Sequence, residues 1–359
     1  MSEDYLFDRE TVTRNILRLL EAYAMPLAEV EKLTKPWPGC DKGLITVTPD
    51  GVEANPSAFW WTKHNPFLVI SILTFLGVRL LNKPQIVDWL KGEQHPEGYF
   101  RKGKLGYGVA ESTYNACVML KLLGAGQDDV GWDRAKLVQL LQAQQQPGQR
   151  RHFAFLHTSD KQCYAEFLLA LQCVGSLAAL NEVVVDQKAA VHYFQQQQKE
   201  NGSFKLGWVK QIPYLEESAA VHVVRALMLL EAGLQRPQAC ISVLQSWQLP
   251  DGGFGSIPSQ HSQYDKISSF GATFSVLVAL YLLGSGPADK TLAERRIVEL
   301  WLTSSDYPYR RLGDLGHWAG DALPAHALSA THRGLLILAA MNLLRPAPSN
   351  LLELILYSM

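Results

Sequence analysis

The sequence has almost no net charge, few cysteines and no long apolar run, and each shortage excludes a class of protein. Its 359 residues carry 33 Lys and Arg against 34 Asp and Glu, a formal net charge of −1. We therefore expect no bulk electrostatic attraction to nucleic acid or to an anionic membrane. The longest largely apolar run, Phe67 to Leu76, is too short to cross a bilayer.

The cysteines and the N-terminus give expectations about the cellular compartment. Five cysteines occur, an odd number, and no two form a Cys-x-x-Cys pair. This pattern argues against a disulfide framework and favours the reducing cytoplasm. The acidic start, Met1-Ser2-Glu3-Asp4, lacks the basic and then apolar character of a signal peptide.

A turn that contains glutamine, glycine and an aromatic residue recurs along the chain. Three copies are clear, Gln94 to Phe100, Gln198 to Phe204 and Gln248 to Phe254, and a degenerate copy begins at Gln146. Apolar stretches that end in Leu-Gly, such as the one before Gly124, alternate with these turns. The spacing of roughly 50 residues is typical of tandem structural repeats.

Each repeat predicts one apolar helix and one more polar helix. Apolar helices are predicted over Ser112–Leu123 and Thr273–Leu283, and polar ones over Lys83–Lys91 and Asp133–Gln145. A helix that is apolar all round belongs inside a fold, whereas an amphipathic helix belongs outside. The sequence therefore predicts an all-α fold, an α/α toroid with inner and outer rings built from about five to six helix hairpins. An open α-solenoid is the alternative.

The repeats indicate a single domain over residues 1–359. We predict an N-terminal helix near Arg9 to Leu33 with a lead-in over residues 1–50, repeats over 51–344, and a C-terminal helix within 345–359. The high share of hydrophobic residues, 47%, is enough to bury a core of this size.

At these turns the sequence resembles class II terpene cyclases, including squalene and oxidosqualene cyclases, and the β-subunits of protein prenyltransferases. Members of that superfamily carry a Gln-x-x-x-Gly-Trp/Phe repeat, the QW motif, and Gln248 to Ser256 is close to its usual form. The resemblance covers the chain from about Trp60 to Leu344 and implies the toroid fold. It does not fix the activity, because the superfamily supports several chemistries.

The resemblance also implies where an acid would lie. Class II cyclases protonate their substrate with an Asp-x-Asp-Asp-Thr-Ala motif at the start of an inner helix, and Tyr214 to Ala219 resembles it with every acidic position altered. Mapped this way, Glu216 is the proton donor and Glu217 its partner, with Glu111 and Asp265 shaping the field. Glutamate is a weaker acid than aspartate, which favours a more basic group such as an epoxide. Alternatively, Glu216 and Glu217 are non-catalytic carboxylates that the helix dipole favours at a helix start.

Aromatic and histidine side chains cluster near the same helix starts and are predicted to line the central cavity. Such rings can stabilise a carbocation by about 1–2 kcal/mol each when desolvated, although core packing explains any one of them. The predicted substrate-binding residues are Trp60, Trp61, Tyr114, Tyr164, His222, Phe270, Phe274 and His332.

The zinc site of protein prenyltransferases is not expected. Asp265-Lys266-Ile267 resembles their Asp-x-Cys segment with Ile267 in place of the cysteine, and the later histidine would be His332. Without the thiolate we predict no metal site and no cofactor, except that a diphosphate substrate could recruit Mg²⁺.

The sequence predicts a class II terpene cyclase-like enzyme, an isomerase or lyase. It would cyclise a linear isoprenoid or meroterpenoid by protonation in an aromatic-lined cavity. The alternatives are a prenyltransferase β-like subunit, a non-catalytic toroid that binds lipid or peptide, and a glycosidase in which Glu111 and Glu216 form the carboxylate pair. A lone toroid leaves its mouth open, so a partner subunit or peripheral membrane contact is also expected.

Overall fold

A computed structural model describes most of the chain. The described residues are 6–22, 43–56, 65–101, 108–127, 131–145, 166–204, 208–209, 212–213, 216–255, 270–302 and 323–358.

Helices dominate the described residues, and thirteen of them follow one another along the chain. They are α1 (Arg9–Ala22), α2 (Asn65–Leu76), α3 (Lys83–Gly92), α4 (Val109–Leu122), α5 (Arg134–Ala143), α6 (Glu166–Ala179), α7 (Gln187–Gln195), α8 (Glu216–Leu229), α9 (Pro237–Ser246), α10 (Phe270–Leu282), α11 (Lys290–Leu302), α12 (Leu323–Ala340) and α13 (Leu351–Tyr357). None of the described helices is long and apolar enough to serve as a membrane span.

Six even-numbered helices, α2 to α12, form a closed inner ring. Each packs against the next, and α12 packs against α2. Because a returning outer helix separates each inner helix from the next, all six run in the same direction. The odd-numbered helices α1 to α11 lie outside, each against the inner helix that follows it. The predicted α/α toroid is confirmed, and the open solenoid is excluded.

Within the described ranges, three two-stranded ladders accompany the helices. The strands are β1 (Phe7–Asp8), β2 (Ile45–Thr48), β3 (Gly51–Ala54), β4 (Trp208–Val209), β5 (Ile212–Pro213) and β6 (Leu344–Arg345). Strand β1 pairs with β6 in parallel, whereas β2 with β3 and β4 with β5 are antiparallel. The β1–β6 pair joins the segment before α1 to the segment after α12, so it ties the two ends of the ring together.

The glutamine of each repeated turn holds the turn to the next outer helix. Gln248 Nε2 donates to the carbonyls of Gly252 and Asp289, at 3.1 and 2.7 Å, and its Oε1 accepts from Asp289 N at 2.7 Å. Gln94 and Gln198 make the same three bonds in their own repeats. The glutamine side chain therefore ties each of these turns to the start of the next outer helix.

In the degenerate repeat the equivalent contact is made by Gln145, one residue before the predicted start of the copy. Gln145 bonds the backbone of the next outer helix, accepting from Asp186 N at 2.9 Å and donating to Asp186 O. Asp186 then caps α7 by accepting from Ala189 N at 2.9 Å. Residues 146–150 lie outside the described part of the chain.

The glycine of the turn is required by both conformation and space. Gly252 has φ of +88°, and a Cβ atom there would lie 2.1 Å from Leu292 O. The left-handed conformation is costly for residues with a side chain. The aromatic residue two positions on, Phe254, is fully buried and its N–H donates to Thr273 Oγ1 at 3.0 Å. Turn, outer helix and inner helix are thereby fixed together.

The terminal helices differ in how far they match expectation. Helix α1 begins at Arg9 as predicted, and it is described as far as Ala22; the predicted remainder to Leu33 lies outside the described residues. The C-terminal helix α13 lies within the range predicted for it. It does not pack on the outside: it contacts α2, α8 and α12, and α2 and α8 are on opposite sides of the inner ring.

Candidate active site inside the inner ring

The predicted catalytic carboxylates belong to the starts of inner helices. Glu111 is the third residue of α4 and is buried, and Glu216 and Glu217 are the first two residues of α8. Since the inner helices are parallel, these starts lie at the same end of the ring. The side chains of Glu216 and Glu217 are outside the description, and so is Asp265 altogether.

The predicted substrate-binding residues divide in the same way. Trp60, Trp61 and Tyr164 lie outside the described residues, and Phe270 is placed only by its backbone, as the first residue of α10. The other four are buried side chains of the inner ring. They are Tyr114 on α4, His222 on α8, Phe274 on α10 and His332 on α12.

Two arginines that sequence reasoning missed join these residues in one cluster. The guanidinium carbons of Arg225 and Arg333 lie 5.9 and 5.4 Å from the centroid of the Phe274 ring. Arg225 is 1% exposed, which makes it the largest fully buried side chain described. We call His222, Arg225, Phe274, His332 and Arg333 the basic cluster. Its presence means that permanent positive charge is held inside the ring.

The histidines of the basic cluster are neutral at physiological pH. Burial lowers the pKa of His222 to about 3, helped by the charges of Arg225 and Arg333. Burial also lowers the pKa of His332 to about 3, again with both arginines contributing. The charge of the cluster is therefore carried by its guanidinium groups, and the imidazoles supply neutral hydrogen-bonding atoms.

His332 is packed from one side by an aromatic ring. Its imidazole meets Phe67 of α2 edge to face, with centroids 6.1 Å apart and planes at 78°. Its Nδ1 is buried and has no hydrogen-bond partner among the described residues. A neutral imidazole of this kind can accept or donate one hydrogen bond to a ligand group.

The end of α13 adjoins the basic cluster. Arg225 donates through Nη1 to the carbonyl of Ser358 and through Nη2 to its hydroxyl, the latter at 2.7 Å. Tyr114 donates its hydroxyl to the carbonyl of Tyr357 at 2.9 Å. Burial raises the pKa of Tyr114 well above its usual range, so it stays a donor. Sequence reasoning missed Tyr357 and Ser358 as well.

One signal in the sequence pointed to Arg225. It follows Val223 and Val224 and precedes Ala226 and Leu227, so it is the one charged residue of an apolar stretch. A charged side chain on an inward-facing helix must be paired or solvated by polar groups. No comparable signal pointed to Ser358, because its partner is far away along the chain.

The described residues hold no group of His, Cys, Asp and Glu suited to a metal ion. Asp265 and Ile267, on which the absent zinc site was argued, lie outside them. Three cysteines, Cys117, Cys173 and Cys240, are buried free thiols whose pKa burial raises to about 12. Such thiols are poor nucleophiles and poor metal ligands at neutral pH.

Comparison with known proteins places the fold. A family model, the prenyltransferase alpha-alpha toroid domain, matches residues 56–205 and 157–317. Protein geranylgeranyltransferase-I from Candida albicans, complexed with GGPP, has a TM-score of 0.54 at 12% identity, over 79% of this chain and 85% of its own. No curated protein matches.

Two further solved structures resemble the chain to a similar degree. A variant of type II terpene cyclase MstE from Scytonema, in complex with the substrate geranylgeranyl dihydroxybenzoate, has a TM-score of 0.51 at 17% identity, covering 93% of this chain and 97% of its own. A protein from Actinoplanes has a TM-score of 0.50 at 14% identity, over 79% and 90%. At such identities these likenesses show the fold alone. With the family model matching well over half of its length, the chain belongs to the prenyltransferase alpha-alpha toroid family.

Proposed function

We propose that this protein is a terpene-cyclase-like enzyme that cyclises an isoprenoid by protonation, with Glu216 as the acid. The observation that carries the proposal is the shared end of the inner ring. There the starts of α4 and α8 bring the buried Glu111 to the same end as Glu216 and Glu217. A carboxylic acid held out of water is the group that this chemistry requires.

The chemical step needs no redox partner. The protonated carboxyl transfers its proton to an epoxide oxygen or an alkene carbon of the substrate. Neighbouring alkenes then attack in turn, each forming a carbon–carbon bond and moving the positive charge along the chain. Loss of a proton from the last cation ends the reaction and allows the carboxyl to be restored.

The basic cluster bears on the orientation of the substrate. Its two guanidinium groups make the surroundings of Phe274 unfavourable for a carbocation, because like charges repel strongly in a medium of low dielectric constant. The cation should therefore form near the helix starts, away from the cluster. A meroterpenoid with an acidic head group fits this polarity, with its head toward the arginines and its hydrocarbon end toward Glu216.

The similar structures are compatible with such a substrate. The Scytonema cyclase is described with geranylgeranyl dihydroxybenzoate as its substrate, an isoprenoid on an aromatic acid. The Candida geranylgeranyltransferase is described in complex with GGPP. An isoprenoid ligand for the present chain is supported by the family fold that it shares with both.

A product assay tests the proposal. Purified protein is incubated with prenyl diphosphates of ten to thirty carbons, squalene, oxidosqualene and geranylgeranyl dihydroxybenzoate, with and without Mg²⁺. We expect a cyclic isomer of at least one substrate. Glu216→Gln should lower its rate of formation about 100-fold or more, the usual contribution of a positioned acid.

A matched control separates catalysis from stability. Glu294, a buried carboxyl of outer helix α11 that pairs with Lys290 at 3.6 Å, lies on the outer layer. Glu294→Gln should keep the rate of cyclisation. If no substrate is cyclised, or if Glu216→Gln retains full activity, the proposal is wrong. Transfer of a prenyl group to a thiol that depends on added zinc would instead favour a transferase subunit.

A further inference from the structure

Of the three clear copies of the repeated turn, only the one over residues 198–204 places asparagine before the glycine. The corresponding positions of the other two copies hold Glu97 and Asp251, and Asn201-Gly202 is the single Asn-Gly pair of the sequence. Asn201 is exposed to solvent. Its side-chain amide can react with the backbone nitrogen of Gly202, which is poorly shielded because glycine has no Cβ atom.

Two hydrogen-bond donors polarise the side-chain carbonyl of Asn201. Its Oδ1 accepts from Ser203 N at 3.1 Å and from the Ser203 hydroxyl at 2.8 Å. When a nucleophile attacks Cγ, negative charge develops on this oxygen, and donors that are already in place stabilise that charge. The folded turn therefore activates the carbon atom that a neighbouring nitrogen would attack.

The same turn holds the attacking nitrogen back. Gly202 N–H donates to Lys199 O at 3.0 Å, and Lys199 N–H donates to Ser203 O at 2.7 Å. Gln198 adds three bonds, to the carbonyl of Gly202 at 3.4 Å and to the carbonyl and N–H of Arg236 at 3.0 Å each. Because the Gly202 nitrogen must lose its proton to attack, its own hydrogen bond has to open first.

We propose that Asn201 is a site of spontaneous deamidation and that opening of the turn over residues 198–204 controls its rate. The Gly202 nitrogen loses its proton and bonds to Cγ of Asn201, the bond from Cγ to the amide nitrogen breaks, and ammonia leaves with a proton. Water then opens the resulting five-membered imide. Hydrolysis at Cγ gives aspartate, whereas hydrolysis at the backbone carbonyl gives isoaspartate, in which the main chain runs through Cγ.

The two products differ in how they fit the turn. Aspartate fits, because Asp251 makes the equivalent contact in the next repeat, where its Oδ1 accepts from Gly253 N at 3.0 Å. Isoaspartate adds an extra carbon atom to the main chain directly before Gly202. That glycine has φ of +91°, and even a Cβ atom on it would lie 2.3 Å from the carbonyl carbon of Ala239. The lengthened turn therefore loses its place against α9.

A deamidation assay on the full chain tests the control by the turn. The wild type and a synthetic peptide of residues 196–204 are incubated at neutral pH in heavy-oxygen water, and peptide mapping by mass spectrometry follows the conversion of Asn201. We expect the folded chain to react about 10 to 100 times more slowly than the peptide, because locally open states are a minor population. Gln198→Ala should accelerate the reaction in the folded chain about tenfold, since the loss of its hydrogen bonds favours opening.

Gln248→Ala is the matched control. It removes the same three bonds from the next copy of the turn and should leave the rate at Asn201 unchanged. Equal acceleration by the two variants would show that general unfolding exposes Asn201, and the proposal would be wrong. It would also be overturned by equal rates for the wild type and the peptide, or by no reaction in Gln198→Ala while the peptide converts completely.

Thermal unfolding tests what the modification does to the ring. The isoaspartate form of the aged wild type is purified by ion exchange and compared with Asn201→Asp, which carries the same charge on an ordinary main chain. We expect the isoaspartate form to unfold about 3 °C or more below Asn201→Asp, and Asn201→Asp to match the fresh wild type. Equal unfolding temperatures for the isoaspartate form and Asn201→Asp would show that the turn accepts the longer main chain, against the close approach at Gly202.

Discussion

The repeated turns and the surroundings of the basic cluster differ in how their polar contacts are distributed along the chain. In the turns, one glutamine bonds the backbone of the next outer helix over 39, 41, 38 and 41 residues, so the same contact recurs in four of the described repeats. Beside this, Arg225 of the cluster reaches Ser358 over 133 residues and the neighbouring Tyr114 reaches Tyr357 over 243 residues, once each. Contacts that recur from repeat to repeat hold the ring together, whereas the polar contacts inside the ring are each made once and differ from one inner helix to the next.

Acidification should affect the interior more than the turns. The pKa of His222 and His332 is about 3 in the folded protein against 6.5 for an ordinary histidine. Well above pH 6.5 both histidines are neutral in the folded and in the unfolded protein, so they make the stability independent of pH there. Between pH 6.5 and 3 the unfolded state binds protons that the folded state does not, so stability falls with pH.

The expected loss is about 2 kcal/mol per histidine between pH 6.5 and 5, at about 1.4 kcal/mol per pH unit. Denaturant unfolding of the wild type and of the double variant His222→Gln, His332→Gln measures it. The double variant should show a flatter pH profile, and His192→Gln, an exposed histidine of α7, should leave the profile unchanged. Parallel profiles for wild type and double variant would contradict the assigned burial.

Substituting the glycine of a repeated turn should lower the free energy of unfolding nearly as much as acidification does. Gly252→Ala combines a left-handed backbone with a Cβ atom 2.1 Å from Leu292 O. We expect a loss of about 3 kcal/mol in the free energy of unfolding. Gly271, inside α10 with open space around its Cα, is the control, and Gly271→Ala should be neutral or slightly stabilising. Equal stability of the two variants would break the argument for close approach at the turn.

The turn glutamine should contribute less than the glycine. Gln248→Ala removes three hydrogen bonds to backbone groups and should cost about 2 kcal/mol. Gln245→Ala, three residues earlier, removes a single bond to Gly286 O and should cost about 1 kcal/mol or less. Thermal unfolding of both variants gives the comparison, and a larger loss at position 245 would go against it.

The smallest effect is expected for the hydroxyl of Tyr114, which bonds the end of α13. Tyr114→Phe removes one buried hydrogen bond and leaves the ring packing intact, at a cost of about 1 kcal/mol. Tyr281→Phe, at a half-buried position of α10, should change stability by less than about 0.5 kcal/mol. If Tyr114→Phe is as stable as the wild type, Tyr114 does not anchor the end of α13.

The sequence predicted several residues of the candidate site, but it did not predict the contacts between them. The family resemblance pointed to the helix starts, and the structure places Glu111 and Glu216 there by backbone position. Phe274, His222 and His332 were predicted as separate lining residues, whereas the structure joins them through Arg225 and Arg333. The helical periodicity of the sequence shows which residues face the inside of the ring, but it does not show which residues of different helices are in contact.

Local patterns in the sequence are enough to predict the ring. Glycine at the left-handed turn, glutamine four residues before it and the alternation of apolar and polar helices are local signals, and each acts within one repeat. The entry of α13 into the ring, and the bonds from Arg225 and Tyr114 to its end, are seen in the folded molecule and were not predicted. These contacts join residues far apart in the chain, so they exist only once the ring has closed, and no local pattern encodes them.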